Sequence, residues 1–314
     1  MLPTTPPTVM IGVPTFRRPQ MLFDLLESVG SCQIDGFSVV LVVMDNDNSE
    51  SARRVVESFA DSSRFEVRYL VEKERGIASC RNALLDEASR IRARYLVFID
   101  DDEIVDSRWL CEIVQVAEFT ATDAVCGNVK HLFGGDVQRW VVEADLLAFP
   151  TMTQETGEAM DCRSTANLLL RLRTVEELGI RFDSRFNLTG GSDTRFLELY
   201  SRSNAQIVAA PLAVSYERID SNRANLSWFI RRSFRVGAAM SMKDSEGRRL
   251  APAWQDFTKS TFLLLRSGVF LLPKTMKHGR AGAINQLWIA SASVGSLYAL
   301  LGGTYSAYKQ TIGR

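Results

Sequence analysis

The chain has 314 residues, which is enough for one large hydrophobic core or two closely packed halves. Lys plus Arg and Asp plus Glu both number 37, so no net basic charge points to a nucleic-acid partner, and none is expected. Five cysteines without metal-site spacing favour reduced thiols in the cytosol, and two histidines leave little material for a zinc site or a Ser-His-Asp triad.

Four short predicted strands, three of them largely apolar runs, alternate with helical patterns over the first hundred residues. Apolar runs without a polar face are typical of strands buried on both sides of a parallel sheet. Their alternation with helices predicts a right-handed, doubly wound α/β sheet. The predicted strands are 9–13, 38–44, 66–71 and 95–99, and the helices between them lie around 22–29, 52–59 and 78–91.

The fourth run ends in three consecutive carboxylates, Asp100, Asp101 and Asp102. Polar side chains also follow the other three strands, and parallel strands bring their carboxyl ends to one edge of a sheet, where open α/β folds bind ligands. Three neighbouring anions repel one another unless they share a cation, and a hard divalent ion that also holds a diphosphate meets this need. The alternative is that these acids form a solvated cap or begin the next helix.

Several motifs follow one another along the chain: 11–19 (IGVPTFRRP), 43–49 (VMDNDNS), 76–82 (GIASCRN) and 98–103 (FIDDDE), followed by Trp109 and Leu110. In their order and spacing, through roughly the first 240 residues, they resemble the consecutive blocks of family 2 glycosyltransferases. Two later motifs, 190–193 (GGSD) and 231–235 (RRSFR), are similar to the bacterial exopolysaccharide branch of that family, the glucosyltransferases of succinoglycan assembly.

The resemblance implies a GT-A fold, which is a Rossmann-like, mostly parallel central sheet with flanking helices. It implies a catalytic domain over 1–243, in which 1–130 bind the nucleotide sugar and 131–243 build the acceptor side. No G-x-G-x-x-G loop follows the first strand and no Walker-type loop occurs, so dinucleotide oxidoreductases and P-loop NTPases fit poorly.

In the family, positions matching Pro14, Thr15 and Arg17 line the uridine pocket, and the resemblance implies the same role here. Asp45 is expected to accept a hydrogen bond from the uracil imide. A strand-ending turn set by Pro14 and an Asx-turn formed by Asp45 are the corresponding structural alternatives.

Diphosphate binding requires cations. Arg75 and Arg81 are placed to approach the ribose and the phosphates, although either fits equally a cation on a helix surface. Arg232 and Arg235 fall close together on a predicted helix and are candidates to clamp the diphosphate; the alternative is a basic interfacial stripe beside Trp228.

The acidic trio matches the family's D-x-D motif. The resemblance assigns Asp100 to the ribose side and Asp102 to a Mg²⁺ or Mn²⁺ ion, with Asp101 between them. Glu217 lies where many relatives carry a metal-binding His, and a carboxylate also binds either ion. The ion is expected to stabilise the charge that grows on the leaving UDP.

Asp193 occupies the position of the family's catalytic base. A base that takes the proton of an acceptor hydroxyl while that hydroxyl displaces UDP directly implies inversion at the anomeric carbon. The alternative is structural, because Ser and Asp before a helix are ordinary N-caps.

The C-terminal segment 244–314 is predicted to be helical, apolar and membrane-associating. Residues 281–308 carry no charged side chain but are diluted by Ala, Gly and Ser, and a basic cluster precedes them. We therefore expect binding to a membrane surface rather than a full span, with a hairpin buried against the catalytic body as the alternative.

Together these features predict an inverting, metal-dependent transferase at the cytoplasmic face of the inner membrane, peripheral or partly inserted. Its donor is expected to be a UDP-hexose, with glucose favoured, and its acceptor a hydroxyl of a lipid-linked saccharide in bacterial exopolysaccharide or cell-surface glycan synthesis. The rival hypotheses are a nucleotidyltransferase of sugar metabolism and a noncatalytic, membrane-docked scaffold that binds a sugar nucleotide.

Overall fold

A computed structural model describes residues 6–134, 137, 141, 152–219, 224–243, 247–249 and 251–305 of the chain. Its centre is one eight-stranded sheet with the order β3-β2-β1-β4-β7-β6-β8-β5. The strands are β1 (Thr8–Thr15), β2 (Ser38–Asp45), β3 (Glu66–Val71), β4 (Tyr95–Phe98), β5 (Glu103–Val105), β6 (Ala124–Phe133), β7 (Leu168–Arg171) and β8 (Ile207–Ile219).

The first four strands form the parallel half of the sheet. β1 pairs in parallel with both β2 and β4, and β2 pairs in parallel with β3. All four therefore end at the same edge, and β1 and β4, whose residues are almost wholly buried, lie next to each other. The predicted strand-helix alternation and the mostly parallel sheet are confirmed.

The second half of the sheet is mixed. β7 runs antiparallel to β4 and β6, whereas β8 runs parallel to β6 and antiparallel to β5. A shift in register after Gly127 separates the buried first part of β6 from its more exposed end. The sheet therefore continues past the acidic trio, which comes to lie near its middle instead of at an outer edge.

Helices cover both faces of the sheet, as in a doubly wound fold. On one face, α1, α2 and α4 pack against residues such as Val9 and Ile11, and on the other α3, α5 and α6 pack against Met10 and Leu96. The helices are α1 (Pro19–Gly30), α2 (Arg53–Ala60), α3 (Ile77–Arg90), α4 (Trp109–Thr120), α5 (Leu172–Leu178), α6 (Ser192–Arg202), α7 (Leu226–Ser241) and α8 (Ala253–Leu300), with a short 3₁₀ turn at Ser184–Phe186.

The last helix is a hairpin rather than one rod. Gly279 has φ 58° and ψ −142°, which breaks α8 into two arms. The Ser260 and Ser296 hydroxyls, one on each arm, hydrogen-bond at 2.8 Å, so the arms lie side by side. The expected helical tail is confirmed, while residues 306–314 lie outside the described part of the chain.

The second arm packs closely against α7. A Cβ added to Gly237 would come within 1.8 Å of the Ala292 carbonyl oxygen, and one added to Gly295 within 2.0 Å of the Phe234 oxygen. Only glycine permits this approach of two helix backbones. Within the described residues, none of the helices has an apolar stretch long enough to cross a bilayer. The expected division at residues 243 and 244 stays a prediction.

Candidate active site

One cavity of about 1220 Å³ opens where the parallel strands end. Its wall combines loops that follow β1, β3 and β4 with α6 and α7, so residues far apart in sequence face the same space. Of the predicted site residues, the lining contains Pro14, Thr15, Arg75, Arg81, Asp100, Asp101, Asp102, Asp193, Glu217, Arg232 and Arg235.

The acidic trio sits at the floor of this cavity, directly after β4. The Thr15 hydroxyl donates to Asp101 Oδ2 at 2.8 Å, which links the end of β1 to the end of β4. Arg18 Nη1 lies 3.1 Å from Asp101 Oδ1 and 3.2 Å from Asp102 Oδ2. The two carboxylates are thus held by a hydroxyl and a shared guanidinium, and they are not the solvated cap considered as an alternative.

Asp100 lies on the other side of the trio, 3.7 Å from Arg81 Nη2. Burial raises the pKa of this carboxyl to about 6; the Arg81 charge opposes the shift, and the charges of Asp102, Asp193 and Glu217 add to it. The Asp100 side chain is 35% exposed, and it lines the cavity. The charges of three other carboxylates therefore reach Asp100, and all four residues line the same cavity.

A further acid, Glu103, supports the trio from below. It begins β5, and its Oε2 accepts from the Asp100 amide at 3.0 Å while its Oε1 accepts from the Ser215 hydroxyl at 2.8 Å. Burial raises the pKa of Glu103 well above its usual range. No role was predicted for Glu103, although the alternation that buries both Glu103 and Val105 was a signal that its side chain faces inward.

Glu217 reaches the cavity from β8. The register of β6 against β8 places His131 opposite it, and His131 Nδ1 lies 3.5 Å from Glu217 Oε2. On the other side of β8, the antiparallel register of β5 places Glu103 opposite Glu217. An imidazole and a carboxylate therefore stand together where the sequence predicted a carboxylate alone.

The donor atoms fit a divalent cation that a diphosphate shares. Within the described residues, no group of three or more His, Cys, Asp or Glu side chains is arranged to hold a metal ion on its own. Mg²⁺ and similar ions are usually held by one or two carboxylates together with substrate phosphates. Asp102 and Glu217, both facing the cavity, supply that kind of incomplete oxygen set. Their assignment as ligands stays a prediction.

Asp193 lies in the first turn of α6, whose N-cap is Gly191 with φ 95°. Asp193 is therefore not the capping residue that the structural alternative required, and its Oδ1 accepts from the next amide, Thr194 N, at 2.8 Å. The neighbouring Ser192 hydroxyl accepts from Arg81 Nη1 at 3.2 Å. Arg81, which lies beside Asp100, is therefore also hydrogen-bonded to α6, the helix that carries Asp193.

Two predicted residues lie outside the cavity lining. Asp45 is fully buried, and its carboxylate accepts from the amides of Asp47 and Ala52 and from the Tyr69 hydroxyl. Arg17 pairs with Asp47 at 3.1 Å. Asp45 forms the turn that the structural alternative described, and its contact with uracil, like that of Arg17 with uridine, stays a prediction.

Two further predicted cations, Arg75 and Arg232, lie close to aromatic rings. The Arg75 guanidinium lies 4.8 Å from the centroid of Phe16, and that of Arg232 lies 4.9 Å from Trp228. Both rings also line the cavity. Stacking on a ring orients a guanidinium without neutralising its charge. Each of these rings therefore helps to orient one guanidinium at the cavity wall.

A parallel half-sheet that ends in carboxylates and arginines around one cavity is the arrangement of a GT-A glycosyltransferase. The family model "Glycosyl transferase family 2" matches residues 10–179. The chain is also 32% identical, over 242 residues, to the succinoglycan biosynthesis protein ExoM of Rhizobium meliloti (strain 1021), covering 77% of this chain and 74% of that protein. The chain belongs to glycosyltransferase family 2 and is a glycosyltransferase.

Solved structures share the fold at low sequence identity. The mannosyltransferase PcManGT from Pyrobaculum calidifontis, in complex with GDP-Man and Mn²⁺, matches with a TM-score of 0.62 at 18% identity, over 94% of this chain and 88% of that one. S. aureus TarS 1-349 in complex with UDP-GlcNAc matches at 0.55 and 15%, over 98% and 95%. The chain spans 43% of a longer TarS structure, at 0.54 and 17% identity over 82% of this chain.

Proposed function

We propose that this glycosyltransferase moves a hexose, glucose in particular, from a UDP-sugar to a hydroxyl of a lipid-linked saccharide in bacterial exopolysaccharide or cell-surface glycan synthesis, with inversion and with Mg²⁺ or Mn²⁺. The observation that carries the proposal is the meeting of Asp100, Asp102, Asp193 and Glu217 with Arg81 in one cavity. Carboxylates and cations that line one cavity suit a reaction in which a metal-bound diphosphate leaves and a hydroxyl loses its proton.

The chain's residues divide the work. Asp102 and Glu217 would hold the divalent ion, which when bound neutralises the leaving diphosphate. Arg81, Arg232 and Arg235 present further positive charge to that diphosphate.

Asp193 takes the proton from the acceptor hydroxyl. Its side chain lines the cavity from the first turn of α6. Direct displacement from the opposite face of the sugar then inverts the anomeric carbon.

The comparisons support parts of this proposal. A relative that takes part in succinoglycan biosynthesis supports the exopolysaccharide setting, and structural neighbours that hold UDP-GlcNAc, or GDP-Man with Mn²⁺, support a nucleotide-sugar donor with a metal. The choice of glucose, of inversion and of the lipid-linked acceptor is our own.

We place the enzyme at the cytoplasmic face of the inner membrane, held by the first arm of α8. Large apolar side chains form a single exposed stripe along this arm, at intervals of three or four residues, with 64 to 88% of each residue exposed. A stripe of this size in water indicates an interaction surface. Its members are Phe262, Leu265, Val269, Leu272 and Met276.

The charge of the arm supports anionic lipid as the proposed occupant of this stripe. Between residues 253 and 280 the only acid is Asp256, against five Lys and Arg side chains. Two copies of the arm paired with each other would bring like charges together, whereas an anionic lipid surface would neutralise them. The five cations are Lys259, Arg266, Lys274, Lys277 and Arg280.

The test is a donor panel. Purified full-length protein is incubated with UDP- and GDP-sugars, Mn²⁺ and membrane extract, and nucleotide release and sugar incorporation are measured. We expect UDP release with UDP-glucose, and a loss of about 100-fold or more for Asp102→Asn. The matched control is Asp61→Asn, an exposed carboxylate outside the cavity.

Three results would contradict the proposal: a GDP-sugar used in preference, a rate indifferent to chelation, or pyrophosphate as the product. Retention of the anomeric configuration, read by NMR of the product, would contradict the direct displacement alone.

A further inference from the structure

Arg18 is the cation that holds two carboxylates of the acidic trio together. A single nitrogen, Nη1, lies within 3.2 Å of both Asp101 and Asp102. The carboxylate side chains are 7% and 10% exposed and that of Arg18 is 30% exposed, so the guanidinium stands on the cavity side of the pair. Arg18 is also part of the cavity wall.

We propose that Arg18 is a positioning residue that exchanges partners during donor binding, leaving Asp101 and Asp102 for the diphosphate as the divalent cation takes the carboxylates. This inference rests on the metal-dependent donor binding proposed above and adds a coupling between metal and nucleotide. A divalent ion held by Asp102 would compete with the guanidinium for Oδ2 of that residue, while a guanidinium suits a phosphate as well as a carboxylate.

The local backbone explains why Arg18 and not its neighbour has this place. Arg17 adopts φ 54°, in the left-handed region that side-chain-bearing residues seldom occupy. The turn sends the Arg17 guanidinium to Asp47 and over the Phe16 ring, while Arg18 faces the trio. Strain held at such a position is commonly tied to function. Two adjacent arginines thus receive different partners.

The exchange has a thermodynamic consequence. If UDP draws Arg18 away from Asp102, UDP tightens the binding of Mn²⁺, and by linkage Mn²⁺ tightens the binding of UDP by the same factor. Hydrogen bonds to charged groups are strong enough for this factor to be about tenfold. Without Arg18, the acids are open to Mn²⁺ alone, and UDP loses one cationic partner.

The experiment measures Mn²⁺ binding, by electron paramagnetic resonance of free Mn²⁺ and by calorimetry, with and without UDP. The proteins are full-length wild type, Arg18→Met and Arg108→Met. Arg108 is a matched control because it also stands at the N-cap position of a helix and pairs with an acid, Glu112, on that helix.

We expect Arg18→Met to bind Mn²⁺ about tenfold more tightly than wild type in the absence of UDP, and the enhancement by UDP to shrink by about tenfold. Arg108→Met should match wild type. Arg18→Lys keeps the charge but lacks the guanidinium's several donors, so its Mn²⁺ affinity should fall between those of wild type and Arg18→Met. This variant replaces Arg18→Met in the experiment if Arg18→Met folds poorly.

Each contrary result identifies what is wrong. If Arg18→Met binds Mn²⁺ more tightly than wild type by the same factor with and without UDP, the loss of the charge alone explains the change. That result would overturn the proposed exchange of partners. Unchanged Mn²⁺ binding would overturn the role of Arg18 while leaving the metal-dependent function standing. If no protein binds Mn²⁺ even with UDP, the metal dependence itself fails, and the role of Arg18 with it.

Discussion

The active-site cavity and the first arm of the C-terminal hairpin depart from the usual distribution of side chains in opposite directions. The cavity buries Asp101, Asp102 and Glu103, residue types that are almost never buried without a partner. The arm leaves Leu272 and Met276 in water, which forgoes the free energy that their burial would contribute. Folding alone accounts for neither arrangement.

The difference lies in what completes each region. The buried acids already have protein partners, such as Thr15 and Arg18, that fix their geometry before any substrate arrives. The stripe on the arm lies on a helix whose inner face is held by small residues, including Ser260 and Ser267. The cavity is thus preorganised for a small charged donor, whereas the arm presents a surface for something extended and apolar.

The largest effect we expect comes from removing the base within the cavity. Asp193→Asn should lower kcat by about 1000-fold, because the acceptor hydroxyl then loses its proton acceptor, while UDP binding changes little. Initial rates of transfer and calorimetry with UDP measure the two quantities. Glu198→Gln on the same helix, which pairs with Arg163 and Arg202, is the control and should keep wild-type kcat.

Unchanged transfer by Asp193→Asn would remove this residue from the chemistry. A loss of UDP binding as large as the loss of kcat would instead give it a part in holding the donor. Either outcome would weaken the contrast between the preorganised cavity and the exposed apolar stripe on the first arm of α8.

The next effect concerns the arm. Replacing Leu265 and Val269 together by Asp should weaken binding to vesicles that contain phosphatidylglycerol by about 100-fold, since two apolar side chains leave the interface and two anions enter it. Cosedimentation with vesicles measures the change. The control is Phe119→Asp with Leu212→Asp, two exposed apolar residues elsewhere on the molecule, and it should bind as wild type does.

A second copy of the chain is the rival occupant of the stripe. If sedimentation velocity shows a wild-type dimer that the Leu265 and Val269 substitutions dissociate, and vesicle binding does not change, the membrane assignment is wrong. Binding to vesicles of phosphatidylcholine alone that matches binding to anionic vesicles would refute the role of the flanking cations.

The parallel half of the sheet was predictable because three of its four strands, β1, β2 and β4, are buried on both faces. A continuous apolar run such as 95–99 marks both the strand and the place where it ends. β6 escaped prediction because its burial changes character along its length, from a wholly buried beginning to an alternating end. Its partners, β7 and β8, also lie more than thirty residues away, and no local pattern records such a pairing.

The position of a cavity residue was predictable where the residue directly follows a strand, as for Asp100 and Asp102, whose roles stay predictions. Arg18 was not, because the sequence offers two adjacent arginines and only the backbone at Arg17 decides which one meets the acids. Glu103 was missed for a related reason: its contact with Ser215 joins residues 112 positions apart. Supporting contacts of this kind depend on tertiary structure and leave little trace in a motif.

Glu103 gives the smallest effect and tests how the cavity tolerates its charges. Burial, together with the charges of Asp100 and Asp102, raises the pKa of its carboxyl well above the usual range. A carboxyl whose pKa is higher in the folded than in the unfolded protein stabilises the fold below the ordinary value of 4.5, and that contribution is lost as the pH rises through the folded-state pKa.

Glu103→Gln stays neutral at every pH and keeps an acceptor for the Asp100 amide, so this variant does not lose that contribution. We expect its Tm to exceed that of wild type in alkaline buffer and the difference to shrink steadily as the pH approaches 4.5. Glu118→Gln, which removes an exposed partner of Arg94, should show no such trend. A difference in Tm that stays constant with pH would mean that the fold accommodates a charged Glu103. The cavity would then bury its carboxylates with less destabilisation than the contrast between the cavity and the exposed arm of the hairpin implies.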